Sequence, residues 1–444
     1  MLATPSARGG LELRLQMMFR RVAWIASPSR AFRGHGFFST SNLSLHIKAR
    51  IQLTASNLLP VSLSPSSSSS SSPLPRPFPN ILRGLVTHNL KSAAPHSSTA
   101  PPQKSASRQV STMAPIPKSM SGILIDAPGG ADVLRWKTDL PVPQLQDDEI
   151  LVRNEFVGVN YIDTYFRTGL YKAPFPLVTG KEAGGVVVAS SSPDFKEGDK
   201  VGYISDHAYA ELTALPAAKA VLLPAGITTE QAAASMLQGL TALTFVREAA
   251  GIKQELGVSE GPWTLVHAAA GGTGSQLVQI LSVMGAKIIG TAGSPEKCEL
   301  ARKNGAQWVI DSRKEDVAAR VKEITSGKGV DVIFDGVGKA TFDLDLEVIA
   351  RKGTLIVFGN ASGPVEPVNL LKLSPKNIKL MRPVLLSYIV TKEEWRSYAA
   401  ELFDLIAAEK IKITVFKTYP LSEVGQAHED LEGRKTTGKL LLKV

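Results

Sequence analysis

Residues 262–274 read Pro-Trp-Thr-Leu-Val-His-Ala-Ala-Ala-Gly-Gly-Thr-Gly, a run with the makings of a phosphate site. Thr264–Ala268 is apolar and β-prone, the glycines Gly271, Gly272 and Gly274 follow, and Ser275–Met284 has helical periodicity. A glycine turn between strand and helix lets the backbone approach a pyrophosphate, whose charge the helix N-terminus then holds. A glycine-rich match alone is weak. Here a second apolar strand follows at Ala286–Ala292, and that context predicts a dinucleotide site with Ala270–Gly274 at its turn.

An NAD site carries an acid about 20 residues after the glycines, on the ribose 2′-hydroxyl. The position here reads Thr291-Ala292-Gly293-Ser294, without an acid, and Lys297, Arg302 and Lys303 follow. A small neutral loop end beside a cation suits a 2′-phosphate, so the residues favour NADPH over NADH. Glu296 next to Lys297 argues mildly the other way, and a solvated Lys297 is the plain alternative.

The elements that must position this loop follow from the pattern of the chain. Short β segments fill 120–240, clearest at Ser121–Asp126, Glu149–Val159, Gly184–Ala189, Lys200–Ile204 and Tyr209–Leu215. Turns such as Pro128-Gly129-Gly130 separate them. From about 240 strands at 264–268, 286–292, 307–310, 331–335 and 353–358 alternate with helical stretches, the signature of a doubly wound parallel sheet. Mixed structure returns near 385 and ends in a β-prone Gly438–Val444. The fold class is therefore α/β. An N-terminal β domain over 118–240 is interrupted by a nucleotide-binding domain at 241–383 and completed by 384–444.

The formal charge of +10 over 444 residues suggests nucleic acid until it is divided. Residues 1–112 hold 13 Lys and Arg against the single acid Glu12, or +12, leaving 37 basic and 39 acidic residues, or −2, for 113–444. The folded body is nearly neutral, so the basic balance carries no argument for DNA or RNA. The extension has the composition of a mitochondrial presequence and linker. Arg14, Arg20, Arg21, Arg30 and Arg33 are interleaved with apolar residues, and the serine run Ser66–Ser72 and a proline-rich stretch follow. Translation from Met113 is the alternative, and a cytoplasmic protein would result. No apolar run approaches the roughly 20 residues that span a bilayer. The lone Cys298 leaves no disulfide framework and is expected to pack.

With these motifs assembled, the body over 118–444 resembles the medium-chain dehydrogenase/reductase superfamily, and within it the quinone oxidoreductases related to ζ-crystallin. The marks are Gly158-Val-Asn160-Tyr161-Ile-Asp163-Thr-Tyr165, Gly180-Lys181-Glu182-Ala-Gly184 and Lys196-Glu-Gly198-Asp199-Lys-Val201. Gln238-Gly239-Leu-Thr241, His267-Ala-Ala-Ala-Gly271-Gly272-Thr-Gly274, Asp335-Gly-Val-Gly338 and Phe358-Gly-Asn-Ala-Ser-Gly363 continue them in order. The resemblance implies a GroES-like substrate domain plus a Rossmann domain, NADPH as cofactor, and a homodimer or tetramer. In the zinc alcohol dehydrogenases of the superfamily a Cys stands at the position of Asn160 and a His at that of Lys181. An amide and an ammonium do not replace them around Zn²⁺, so no metal ligand is expected.

The implied substrate is a small quinone or conjugated enone. Asn160 and Tyr165 are the implied catalytic pair, the former hydrogen-bonding an acceptor oxygen and the latter bonding it or giving it a proton. Their plainer readings are a satisfied turn amide and a packed ring. Asp163, placed with Tyr161 at the cofactor, is expected to order the loop. Gln238, where relatives often have Lys, and Thr241 lie by the nicotinamide ribose and phosphate. Gly336, Val337 and Phe358 are assigned to the cofactor, Gly359, Asn360 and Ser362 to its nicotinamide carboxamide, and Arg382 and Leu385 to the cofactor cleft, which Val384–Leu386 should line. Gly293, Ser294, Lys297 and Arg434 are assigned to the 2′-phosphate side. Ser312 stands where relatives often have Tyr and is expected to donate to a phosphate, with Arg313 in support. His267 is read as structural, and His207 and His428 carry no assignment. An enoyl reductase is the nearest alternative. Some ζ-crystallin relatives bind AU-rich RNA, for which the neutral body gives no basis as the main role.

Overall fold

The computed structural model describes residues 115–253 and 261–444. The basic extension at 1–112 lies outside them. Among the described residues no helix is long and apolar enough to cross a membrane.

The β-rich part begins with β1 (Ser119–Ile125), β2 (Arg135–Pro141) and β3 (Glu149–Val159), then the short helix α1 (Tyr161–Arg167). β4 (Leu177–Val178), β5 (Glu182–Ser190), β6 (Lys200–Ile204), β7 (Leu212–Pro216) and β8 (Ala220–Leu222) follow. α2 (Thr229–Thr244) then leads out of the domain, its start fixed by the sequence Thr228-Thr-Glu-Gln231. The Thr228 hydroxyl accepts from the Gln231 N–H and the Gln231 side chain returns the bond, a reciprocal cap.

The parallel part runs β9 (Trp263–Val266), α3 (Gly272–Val283), β10 (Lys287–Ala292), α4 (Pro295–Lys303), β11 (Trp308–Asp311) and α5 (Val317–Ile324). β12 (Val330–Asp335), α6 (Phe342–Val348), β13 (Ile349–Val357) and β14 (Lys379–Met381) complete it. Its six strands are ordered β11-β10-β9-β12-β13-β14 and all pairs are parallel. Strand order reverses between β9 and β12, so the crevice where such sheets bind ligands opens above the carboxyl ends of those strands.

α7 (Lys392–Ala407), β15 (Val415–Pro420), α8 (Val424–Glu432) and β16 (Lys439–Lys443) end the chain. β16 pairs antiparallel with β3 and parallel with β15, which carries the C-terminus back into the first domain's sheet, ordered β15-β16-β3-β5-β6-β8. The return comes later than residue 384. Trp395, Leu402, Phe403 and Ile406 of α7 share one buried core with Leu240 and Leu243 of α2 and Leu277 and Ile280 of α3, because α7's apolar stripe faces the Rossmann helices.

Candidate active site

β9 delivers the chain to the glycine run, and His267 ends it from below. His267 is buried, its Nε2 2.7 Å from Asp345 Oδ1 on α6 and its Nδ1 3.1 Å from Thr291 Oγ1 on β10. Burial disfavours the His267 cation, but Asp345 and Asp335 outweigh it and the pKa rises. The residue thus ties β9 to its neighbours, the structural duty expected.

The glycines have a different reason from the one their type suggests. None of Gly271, Gly272 and Gly274 has a positive φ; that conformation falls on Ala268, at φ 50°. At Gly274 glycine is required by space, since a Cβ would stand 2.2 Å from the Ala268 carbonyl oxygen; one on Gly272 would press the end of the Gln238 side chain, 2.3 Å from its Nε2. α3 then starts at Gly272 with its first N–H groups, including that of Thr273, without a side-chain cap. Such donors are available to an anion. The Ala270 carbonyl is used elsewhere, accepting from Gly438 N at 3.0 Å, which fixes the end of the chain against this loop.

At the end of β10 the cations converge. Lys297 Nζ donates to the Arg434 carbonyl at 2.7 Å, and Arg434 itself adopts a left-handed φ of 55°. The Arg313 side chain lies along Gly293, where an added Cβ would meet its Nε at 3.3 Å. Burial lowers the Lys297 pKa first, and the neighbouring Arg313 and Arg434 lower it further. Among the described residues no side-chain hydrogen bond or salt bridge joins any of these three cations to a carboxylate, although the Arg313 backbone N–H donates to Asp311 Oδ1 at 3.1 Å. Glu296 does not compete, since its carboxylate turns back to its own backbone N–H and to Ser294. The Ser294 hydroxyl caps α4 by accepting from Lys297 N. Ser312 departs from expectation: its hydroxyl proton goes to the Ala292 carbonyl at 3.1 Å, so it is not free to donate to a phosphate.

On the other side of the cleft Tyr165 is central. Its hydroxyl oxygen accepts the Asn360 N–H at 2.9 Å, joining α1 to the loop after β13, and its own proton has no acceptor among the described residues. Burial pushes its pKa up to about 12, so the phenol stays protonated. Tyr171 meets it edge-on at 5.2 Å, and Tyr161 lies at 6.3 Å with its hydroxyl on the Leu431 carbonyl. Gly359 is pressed on this loop, a Cβ there falling 2.1 Å from Gly336 O, while Phe358 covers Gly336. Arg382 pins the loop from outside through the Val357 and Gly359 carbonyls at 3.1 and 3.0 Å. Ser362 spends its hydroxyl on Val337 O and Ala340 N, and Thr241 gives its proton to Leu237 O. Leu385 is buried in the core; only Val384 and Leu386 beside it are exposed.

Asn160 sits deeper than a substrate ligand would. It is 3% exposed, and its Nδ2 donates to Gly158 O and Glu182 Oε2 at 3.1 and 2.9 Å. Its Oδ1 accepts from Lys439 Nζ at 2.8 Å and, at 3.4 Å, from Gln238 Nε2. Both ends of the amide are thus engaged, so the geometry places Asn160 as an anchor for α1 rather than against an acceptor oxygen. Beneath it lies a buried ion pair, Glu182 with Lys439 at 2.5 Å, that motif reading missed. The available signal was a charged residue at the first position of each of the strands β5 and β16. Gln238 Oε1 is buried beside Gly272 without a partner, an unmet acceptor at the glycine turn. Lys181 is turned away, paired with Asp206 and over the Phe166 ring at 4.1 Å. Among the described residues no three His, Cys, Asp or Glu side chains cluster closely enough to hold a metal.

Residues 146–233 match the alcohol dehydrogenase GroES-like domain family and residues 272–404 the zinc-binding dehydrogenase family. A quinone oxidoreductase of Pseudomonas aeruginosa is 44% identical over 320 residues, 71% of this chain and 96% of that protein. A 2-haloacrylate reductase from a Burkholderia species is 34% identical, covering 72% and 97%. The crystal structure of Escherichia coli quinone oxidoreductase complexed with NADPH superposes with a TM-score of 0.69 at 41% identity, over 73% of this chain and all of that one.

Proposed function

The chain belongs to the quinone oxidoreductases of the medium-chain dehydrogenase/reductase superfamily, and from that premise we propose an NADPH-dependent reductase of quinones and other electrophilic conjugated carbonyls that works without a metal. The observation that carries the reading is the Tyr165 hydroxyl, held by Asn360 N with its own proton uncommitted. When bound, NADPH supplies the hydride; the chain supplies position, a dry wall and a hydrogen-bond donor. Gly272 and Gly274 give the backbone room at a pyrophosphate. Lys297, Arg313 and Arg434 offer a 2′-phosphate three cations and no competing acid. Tyr165 donates to the acceptor oxygen as negative charge builds there, which conjugated carbonyls need less than isolated ones do.

Steady-state oxidation of NADPH by the full chain tests this, with phenanthrenequinone and a medium-chain 2-enal compared. Fast quinone turnover is expected. Turnover of the enal alone would move the chain to the enone reductases, a reading that the 34% identity to a 2-haloacrylate reductase supports. We also propose a homodimer, supported by the position of β14 at the end of its sheet and by the exposed Leu370, Leu371 and Val390, at 72, 74 and 73%. The basic extension is proposed as a mitochondrial presequence; a fluorescent fusion that stays evenly cytosolic would reject it.

A further inference from the structure

The helix that carries Tyr165, α1, has seven residues, too few to be stable alone. One of its faces is held by a set of buried groups. Asp163 and Arg167 are four residues apart and share that face. Tyr165, two residues from each, points about 200° away from it.

A closed circuit of buried groups joins Asp163 to Arg167. The Arg167 guanidinium, 3% exposed, donates to both Glu432 oxygens at 2.9 Å and approaches His428 Nδ1 at 3.2 Å. Arginine can only donate, so Nδ1 accepts and Nε2 must carry the imidazole proton. Nε2 lies 3.0 Å from the Tyr209 hydroxyl, which therefore accepts there and donates to Asp163 Oδ2 at 2.9 Å. Asp163 Oδ2 also accepts the Asn160 N–H at 2.9 Å, closing the first turn of α1. Every donor in the circuit has one direction. Burial, then the Arg167 charge, lowers His428 to about 3, in keeping with a neutral ring. Tyr209 comes from the segment before β7 and His428 from α8, so two distant parts of the chain meet behind α1.

We infer that Tyr209 and His428 are positioning residues for the reduction: they fix the rotation of α1 from behind and so hold the Tyr165 hydroxyl against Asn360. This rests on the proposed role of Tyr165. Neither residue touches the reacting atoms.

The test is a double-mutant cycle on kcat in the full chain. It combines Tyr209→Phe, which removes one oxygen, with Tyr165→Phe, while titration gives the NADPH Kd and thermal melting reports folding. Tyr209→Phe is expected to lower kcat roughly tenfold, the scale set by small misplacements of catalytic groups, with Kd within about twofold. In the Tyr165→Phe background the same change should cost less than about twofold, since the helix then has no hydroxyl left to place. His428→Gln, which keeps an acceptor and a donor, should retain more activity than His428→Phe. Equal losses in both backgrounds, or a lower melting point with kcat intact, would overturn the inference while leaving Tyr165 in its role. An unchanged kcat in Tyr165→Phe alone would instead remove the reading of Tyr165, and the inference with it.

Discussion

Substituting Glu182 by Gln probes the buried charge at the heart of the site. Glu182 is fully buried and Lys439 is 1% exposed; the carboxylate accepts from Lys439 Nζ at 2.5 Å, Asn160 Nδ2 at 2.9 Å and Leu237 N at 2.8 Å. The Gln variant keeps an oxygen for Leu237 but leaves the ammonium with Asn160 Oδ1 as its one hydrogen-bond acceptor. Removing one partner of a buried pair costs about 3–5 kcal/mol, because the other charge remains desolvated. At roughly 2 °C per kcal/mol for a body of this size, the melting point should fall by roughly 6–10 °C. Adding Lys439→Met removes the stranded charge and should restore at least about 2 kcal/mol, although each single change weakens the pair. Melting of the wild type, both singles and the double in parallel gives the comparison. A loss below about 1 kcal/mol for Glu182→Gln, or a double variant worse than that single, would refute the argument that burial of the pair sets its importance.

Arg434→Ala should weaken NADPH binding about tenfold to a hundredfold, the scale of a lost charge-assisted phosphate contact, while leaving NADH unchanged; equal losses for both cofactors in parallel titrations would contradict this. Gly274→Ala puts a methyl 2.2 Å from the backbone oxygen of Ala268, so the turn must move, and both the melting point and NADPH binding should fall markedly; an unchanged melting point with binding retained would contradict the close approach. Burial raises Asp163 from 3.8 to about 7, so the folded state keeps a proton that the unfolded chain has lost between those values. Its stabilising contribution is complete below about 3.8 and is lost as pH rises through about 7. Asp163→Asn should therefore gain stability relative to wild type by up to about 1.4 kcal/mol per pH unit between pH 4 and 7, then level off; a difference flat with pH in denaturant melts would rule this out.

How much of this was legible beforehand depends on how local each cause is. The β9–turn–α3 run and the absent acid after β10 are set by neighbours within a few residues, and the chain shows them as patterns. The convergence of Lys297 with Arg434, 137 positions apart, came through the family resemblance alone. Glu182 and Lys439 are 257 positions apart, and each is an ordinary charged residue until the β3–β16 pairing buries them together. The same holds for His428, which had no visible partner because Tyr209 and Arg167 reach it from other elements. Ser312 and Ala268 show a subtler limit: residue type gave the capacity for a bond or a turn, while the fold decided which group used it.

Titration of the protein with NADPH and with NADH, at low and at moderate salt, bears most directly on the central claim that three unopposed cations read a 2′-phosphate here. NADPH should bind about a hundredfold tighter or more, and the advantage should shrink as salt screens the charges. Equal affinity for the two cofactors, or a preference for NADH, would contradict the account.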